Sequence, residues 1–199
     1  MEQDMRTKLI EAATPLFAKR GFAAVSIREL AKAADVNVAA ISYYFGGKEG
    51  LYTAVLEHQF APIAEKQAWL AQNSPQSGEE RLLLYAQAVP AVHGQRPFLI
   101  RFMHAEMINP TICFEAVVKK YITGLFLFLS RAIADGVAAG EFKPGINPGQ
   151  AALSLAGILN FYFIAKPLAQ SLLAGCSDQE FVEQSFRIYL DGIRRDDHA

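Results

Sequence analysis

The amino-acid sequence predicts an all-α protein of about nine helices. Apolar residues recur at the i, i+3, i+4, i+7 spacing of a helix in successive segments, and no stretch sustains the period-two alternation of a strand. Capping residues, glycines and prolines separate those segments. Of the 199 residues, 52% are hydrophobic, which is enough for a substantial core.

The first predicted helix covers residues 4–20 and ends at Gly21, a suitable residue for a helix C-terminus. Pro15 lies inside this helix, where a proline removes one backbone hydrogen bond. We therefore expect a bend at Pro15.

Two short capped helices follow and predict a helix-turn-helix over residues 26–45. Ser26 and Glu29 have the spacing of a capping box, and Asn37 can cap the second helix. In a helix-turn-helix the second helix enters the major groove of DNA. A simple helical hairpin is the alternative interpretation.

The surface that these helices leave exposed suits nucleic acid. The hydroxyls of Tyr43 and Tyr44 can reach phosphate oxygens. Lys48 begins the next helix, where its charge opposes the helix dipole, and a bound phosphate would relieve that conflict. The small residues of the second helix can contact base edges only through van der Waals contacts or one hydrogen bond. The predicted DNA-binding residues are Ser26, Arg28, Asn37, Val38, Ala39, Ser42, Tyr43, Tyr44 and Lys48.

The rest of the chain reads as six further helices. A long helix is predicted over residues 48–73, with a kink at Pro62. The later helices are predicted over about 79–92, 98–108, 111–139, 147–174 and 177–194. Asn147 with Pro148, and Ser177 with Glu180, are their clearest start signals.

The last two helices carry apolar residues on more than one face. In the final helix Val182, Phe186 and Tyr189 share one face, while Phe181 and Ile188 lie on another. A helix that is apolar on both sides needs cover on both sides. We expect a second copy of the chain to cover the outer face.

Four segments of the N-terminal quarter resemble a known family: LFAKRGF at 16–22, SIRELA at 26–31, ADV at 34–36 and ISYYFGGKEGL at 41–51. They are similar to the DNA-binding domain of TetR/AcrR-type transcriptional regulators. The resemblance implies a DNA-binding domain over residues 1–47 and a helical ligand-binding and dimerisation domain over 48–199. It also implies a homodimer formed through the last two helices, an inducer pocket, and a DNA contact at Arg28.

Aromatic residues are abundant after residue 60, and an apolar cavity with a few polar groups is the usual site for a small molecule. For each polar candidate, an internal ion pair is an equally good explanation. The predicted ligand-binding residues are Phe98, Arg101, Phe102, His104, Glu106, Tyr121, Asn160 and Phe161.

The composition argues against several other classes of protein. The formal net charge is −1, so DNA binding must rest on the motif and not on a global basic field. Gly46 to Glu49 lacks the leading glycine and the Ser/Thr of a phosphate-binding loop, and the four histidines are scattered. We therefore expect no enzyme activity, no cofactor and no metal site.

The sequence also suggests where the protein acts. The N-terminus lacks the apolar segment of a signal peptide, and the apolar run 151–165 is shorter than a membrane span. Cys113 and Cys176 are isolated, as is usual for reduced cysteines in the cytoplasm. We predict a cytoplasmic repressor, released from a palindromic operator by a small, mostly apolar effector. A dimeric helical carrier of hydrophobic ligands without DNA binding is the alternative.

Overall fold

The computed structural model describes residues 2–73, 75–173 and 175–195. Over these residues the chain forms nine α-helices and one π-helical turn, with a single isolated bridge between Phe142 and Arg194. The all-α prediction is confirmed. The elements are α1 (Glu2–Ala24), α2 (Ile27–Ala33), α3 (Val38–Phe45), α4 (Lys48–Asn73), α5 (Gly78–Gln95), α6 (Leu99–Ile108), the π-helical turn (Phe114–Val118), α7 (Lys119–Ala138), α8 (Pro148–Leu172) and α9 (Asp178–Ile193).

The chain divides into two compact units. The first unit comprises Met1–Ala61 and Arg96–Tyr121, and the second comprises Pro62–Gln95 and Ile122–Ala199. Helix α4 crosses this division, so its first half belongs to one unit and its second half to the other. The predicted boundary after residue 47 separates a DNA-binding domain from a ligand-binding domain. The division into compact units does not test those functions, so this boundary stays a prediction.

In the first unit, α1 packs against α2 and α6, and α2 packs against α3. Helix α1 continues through Pro15, and its backbone leaves the helical region at Gly21, with φ 77° and ψ 166°. A residue without a Cβ tolerates this conformation, which explains the predicted end at Gly21. The fully buried side chains of this unit include Leu9, Phe17, Leu30, Ile41, Leu51, Leu56, Phe60 and Phe102.

In the second unit, α9 packs against α5 and α8. The connection between α7 and α8 is held at the start of α5, because the Glu141 carboxylate accepts hydrogen bonds from Ser77 Oγ at 2.9 Å and from the backbone N–H of Glu79 at 3.0 Å. A Cβ at Gly136 would lie 2.3 Å from the Phe142 ring, so this close approach requires glycine.

Two helix boundaries differ from the prediction. Helix α5 continues to Gln95, with Pro90 inside it, and does not end near residue 92. The segment predicted as one helix over 111–139 begins with a π-helical turn. The preceding turn is held by Glu106, which accepts hydrogen bonds from the backbone N–H and the hydroxyl of Thr111. The two residues are five positions apart, on either side of the end of α6 at Ile108.

Two segments are long and apolar enough, by length and composition, to cross a membrane: Phe114–Ala138 and Pro148–Leu172. The second contains the run that we expected to be too short. Such helices are weak evidence for a membrane protein, because the core helices of soluble proteins pass the same test.

Candidate functional site: a nucleic-acid interface

Helix α2 begins with the reciprocal hydrogen bonds that the sequence predicts. The backbone N–H of Glu29 donates to Ser26 Oγ at 3.3 Å, and the N–H of Ser26 donates to Glu29 Oε2 at 2.8 Å. Arg20 also pairs with Glu29 at 2.6 Å. The Arg20 contact, with the bonds from Ser26, lowers the pKa of Glu29 to about 2. The Ser26 hydroxyl, predicted above as a DNA contact, is thus already engaged in the cap.

A tight turn separates α2 from α3. Its Asp35 has φ 50°, a left-handed conformation that Asp tolerates better than most residues. The N–H of Val36 returns to the carbonyl of Ala31 at 3.0 Å, which closes the turn. Asn37 then caps α3 by accepting from the N–H of Ala39 at 2.9 Å. The two capped helices are therefore joined as a helix-turn-helix.

Helix α3 has three exposed and four half-buried residues around a single buried one. Ile41 is its one fully buried side chain, at 0% exposure, and Tyr43 is 78% exposed. Ala39 and Ser42 are exposed as well, while Val38 and Tyr44 are half-buried. Arg28 is exposed on α2. A short helix with one buried anchor and an open opposite face has the form of a helix that reads the major groove.

Arg6, on α1, contacts the end of α3, and sequence reasoning missed it. Its guanidinium donates a hydrogen bond to the carbonyl of Tyr44 and lies 4.5 Å from the centroid of the Phe45 ring. Tyr43 and Tyr44 pack edge to face, with ring centroids 4.9 Å apart. The two tyrosines thus share a turn whose backbone is held by α1.

Lys48 has an intramolecular partner that the sequence did not indicate. Its ammonium lies 4.4 Å from the centroid of the Phe22 ring, at the end of α1. A cation–π contact stabilises the charge at the start of α4, where the helix dipole disfavours it. A bound phosphate is therefore not needed to explain a lysine at this position.

The predicted ligand residues of the first unit lie in different environments. Phe102 is buried, and Tyr121 stacks on Phe60 with centroids 5.7 Å apart. Glu106 is 1% exposed and accepts a hydrogen bond of 2.7 Å from the Tyr52 hydroxyl. Phe98 is half-buried, and Arg101 and His104 are exposed.

In the second unit, Asn160 belongs to a polar cluster that also contains Tyr85 and His93. Its side-chain oxygen lies 3.0 Å from His93 Nε2, and its amide nitrogen donates to the Tyr85 hydroxyl at 2.9 Å. Burial raises the pKa of Tyr85 to about 12, and burial lowers the pKa of His93. Tyr85 and His93 were missed because each reads individually as an ordinary core residue of α5.

Phe161, next to Asn160, is 65% exposed on α8 and does not point into that cluster's buried interior. The second unit also has two surface grooves, of about 480 Å³ between α5 and α9 and about 380 Å³ between α4 and α5. Neither groove is lined by Asn160 or Phe161. The ligand-binding residues remain a prediction.

The capped helix pair with an open second helix places the protein in the helix-turn-helix class. Comparisons with known proteins identify a family within this class. The family model for "Bacterial regulatory proteins, tetR family" matches residues 9–55. The probable HTH-type transcriptional regulator YttP of Bacillus subtilis is 34% identical over 143 residues, which cover 71% of this chain and 69% of YttP.

Two further comparisons extend over more of the chain. The HTH-type transcriptional repressor NicS of Pseudomonas putida is 27% identical over 173 residues, covering 85% of this chain and 80% of NicS. The ketosteroid transcriptional regulator KstR2 of Mycobacterium tuberculosis has the same fold, with a TM-score of 0.78 and 17% identity over 96% of this chain and 95% of that one.

The chain belongs to the TetR family of bacterial regulatory proteins. It is a ligand-responsive, DNA-binding transcriptional regulator, which confirms the family and function that the sequence predicted. Proteins of this family are soluble cytoplasmic regulators that form dimers and bind DNA and small-molecule effectors. The carrier alternative is not favoured.

Proposed function

We propose that this protein is a cytoplasmic repressor without enzyme activity that binds a palindromic operator as a homodimer. The observation that carries this proposal is α3, which is anchored by Ile41 and presents an open face beside the start of α4. A two-fold dimer would place two such helices on half-sites roughly 34–36 Å apart. The relative in Pseudomonas putida is named a repressor, which supports this direction of regulation.

We assign two kinds of DNA contact to this face. Arg28, Tyr43, Tyr44 and Lys48 would bind phosphates or guanine, because Arg28 and Tyr43 are exposed and Tyr44 and Lys48 are partly exposed. The base-edge contacts would come from Val38, Ala39 and Ser42, with Asn37 and Ser26 near the backbone at the two helix starts. The hydroxyl of Ser26 and the side-chain oxygen of Asn37 are used in caps, so we rank them below the tyrosines and Lys48.

The dimer interface that we propose is the outer face of α8 with the adjoining face of α9. Leu153, Phe161, Leu168 and Leu172 are between 62% and 72% exposed and follow one side of α8. Ile188 of α9 is 65% exposed, whereas Val182 and Phe186 on the opposite side are buried. Large apolar side chains aligned in this way are typical of a surface that another copy covers.

We propose that a small, mostly apolar effector binds the C-terminal helices. The abundance of aromatic residues there supports an apolar ligand, and the predicted polar residues would orient it. Among the related folds is a regulator named for ketosteroids, a class of largely apolar molecules. The effector would favour the state that does not bind DNA, and this shift in population would release the operator.

The DNA assignment is tested by fluorescence anisotropy with the duplex that the wild-type protein selects from a random-sequence library. We expect Lys48→Ala to weaken binding and to reduce the slope of log K against log salt by about 1, because one phosphate contact is lost. Arg131→Ala, which removes an exposed charge from α7, is the matched control and should bind as wild type. If Lys48→Ala and the control behaved alike, the assigned face would be wrong.

Ligand-binding measurements with and without the same duplex distinguish a DNA-binding regulator from a carrier of hydrophobic ligands. Linked sites affect each other reciprocally, so an effector that releases the duplex must bind more weakly when the duplex is present. A hydrophobic ligand whose affinity were independent of DNA would support the carrier.

A further inference from the structure

The interactions within helix α3 are too few to fix its orientation. It has eight residues, fewer than the roughly 12–15 that an isolated helix needs in water. One side chain, Ile41, is fully buried. The last carbonyls of a helix need partners beyond its regular hydrogen bonds, and the N–H of Gly46 supplies one, to the carbonyl of Ser42 at 2.9 Å. The surroundings must therefore supply contacts that fix the last turn, which carries Tyr43 and Tyr44.

Arg6 supplies two such contacts from a position 38 residues earlier in the chain. The edge of its guanidinium donates to the carbonyl of Tyr44, and its charge lies 4.5 Å from the centre of the Phe45 ring. A planar guanidinium can donate in its plane and interact with an aromatic ring at the same time, which an ammonium cannot match. A cation at a helix C-terminus also interacts favourably with the helix dipole.

We propose that Arg6 is a positioning residue for DNA recognition: it holds the last turn of α3 and so orients Tyr43 and Tyr44 without itself binding phosphate. Its charge is directed at the α3 carbonyl and the Phe45 ring. The inference rests on the proposed DNA face. Lys48 provides a useful contrast. Its ammonium also lies against an aromatic ring, but we assign Lys48 to a phosphate contact.

The test compares Arg6→Ala, Arg6→Lys and Lys48→Ala on the duplex selected by the wild-type protein, at four salt concentrations. We expect Arg6→Ala to weaken binding at least tenfold with the salt slope of wild type, and Arg6→Lys to lose most of the same affinity although it keeps the charge. Lys48→Ala should lower the slope by about 1. Lys8→Ala, an exposed cation on the same helix, is the matched control.

A second measurement needs no DNA. Hydrogen exchange followed by mass spectrometry should show faster exchange over residues 42–46 in Arg6→Ala and Arg6→Lys, and unchanged exchange in Lys8→Ala and Lys48→Ala. This readout remains available if the assigned DNA face is wrong, so the two proposals can fail separately.

Three results would overturn the positioning role. A salt slope in Arg6→Ala that falls as far as in Lys48→Ala would make Arg6 a phosphate ligand. Wild-type affinity in Arg6→Lys would mean that only the charge matters. Unchanged exchange over residues 42–46 in both variants would mean that the contact does not hold α3.

Discussion

At the scale of single residues, the buried carboxylate of Glu106 in the first unit depends on its hydrogen-bond donors. It is 1% exposed, and the donors that reach it are neutral: the Tyr52 hydroxyl at 2.7 Å, and the N–H and hydroxyl of Thr111 at 3.1 and 3.0 Å. A buried carboxylate is costly unless its lone pairs accept hydrogen bonds. Burial, with the Glu106 contact, raises the pKa of Tyr52 above its usual range.

Replacing Tyr52 by Phe should therefore destabilise the protein without changing its shape. The variant keeps the ring and removes one donor from a buried acceptor, which costs about 1–3 kcal/mol of unfolding free energy. Urea unfolding followed by circular dichroism measures this loss. Tyr43→Phe, on a ring that is 78% exposed, should change stability by less than about 0.5 kcal/mol. Equal stabilities for the two variants would contradict this account.

His93 gives the second unit a dependence on pH. It is buried, stacks on Phe163 with ring centroids 3.9 Å apart, and contacts Asn160. Burial lowers its pKa, opposed by the Asn160 contact and by the charge of Asp178 and reinforced by the charge of Lys166. A lowered pKa means that the unfolded chain binds the proton more readily than the folded one.

The contribution of His93 to stability should therefore be complete above its unfolded pKa of 6.5 and decline as the pH falls below that value. We expect wild type to lose stability between pH 7.5 and 5.5, and His93→Gln to lose less over the same interval. His58, whose pKa burial also lowers, contributes with the same sign. His58→Gln should therefore reduce the pH dependence as well, and the double variant should show the smallest pH dependence. A His93→Gln variant with the full wild-type dependence would exclude this role.

At the scale of elements, helix starts were the most predictable features, and for a physical reason. Ser26, Asn37, Asn147 and Ser177 each accept a hydrogen bond from an N–H two or three residues later, as their positions in the sequence predicted. These contacts are complete within one turn, so residue type and spacing suffice to identify them. The π-helical turn at Phe114–Val118 was not predicted, since the sequence pattern indicated a continuous helix there.

The cap of α3 can be tested directly. Asn37→Ala removes the acceptor for the N–H of Ala39 and should cost about 1 kcal/mol, whereas Asn37→Ser keeps an acceptor and should cost much less. Thermal unfolding measures both changes. If alanine and serine were equivalent at position 37, the cap would contribute nothing to stability.

At the scale of the whole molecule, the packing of a single chain does not explain the exposed apolar stripe on α8. Leu168 belongs to this apolar stripe and is 62% exposed. We predict that Leu168→Glu remains folded and becomes monomeric at micromolar concentration, because an unpaired charge in an apolar interface is strongly unfavourable. Sedimentation velocity gives the mass. As the control, Gln170→Glu adds the same charge elsewhere on α8 and should remain dimeric. If Leu168→Glu were dimeric, or Gln170→Glu monomeric, the interface would lie elsewhere.

The sequence by itself determined the helices, their caps, the helix-turn-helix and the family, because these depend on interactions within about four residues and on a dense local motif. Tertiary structure alone decided the partners of several polar side chains: Arg6 with Tyr44, Tyr52 with Glu106, and His93 with Asn160, which lie 38, 54 and 67 residues apart. Those pairs form where distant helices meet. The identity of a polar residue indicates that it needs a partner, and only the packing of the helices determines which one it finds.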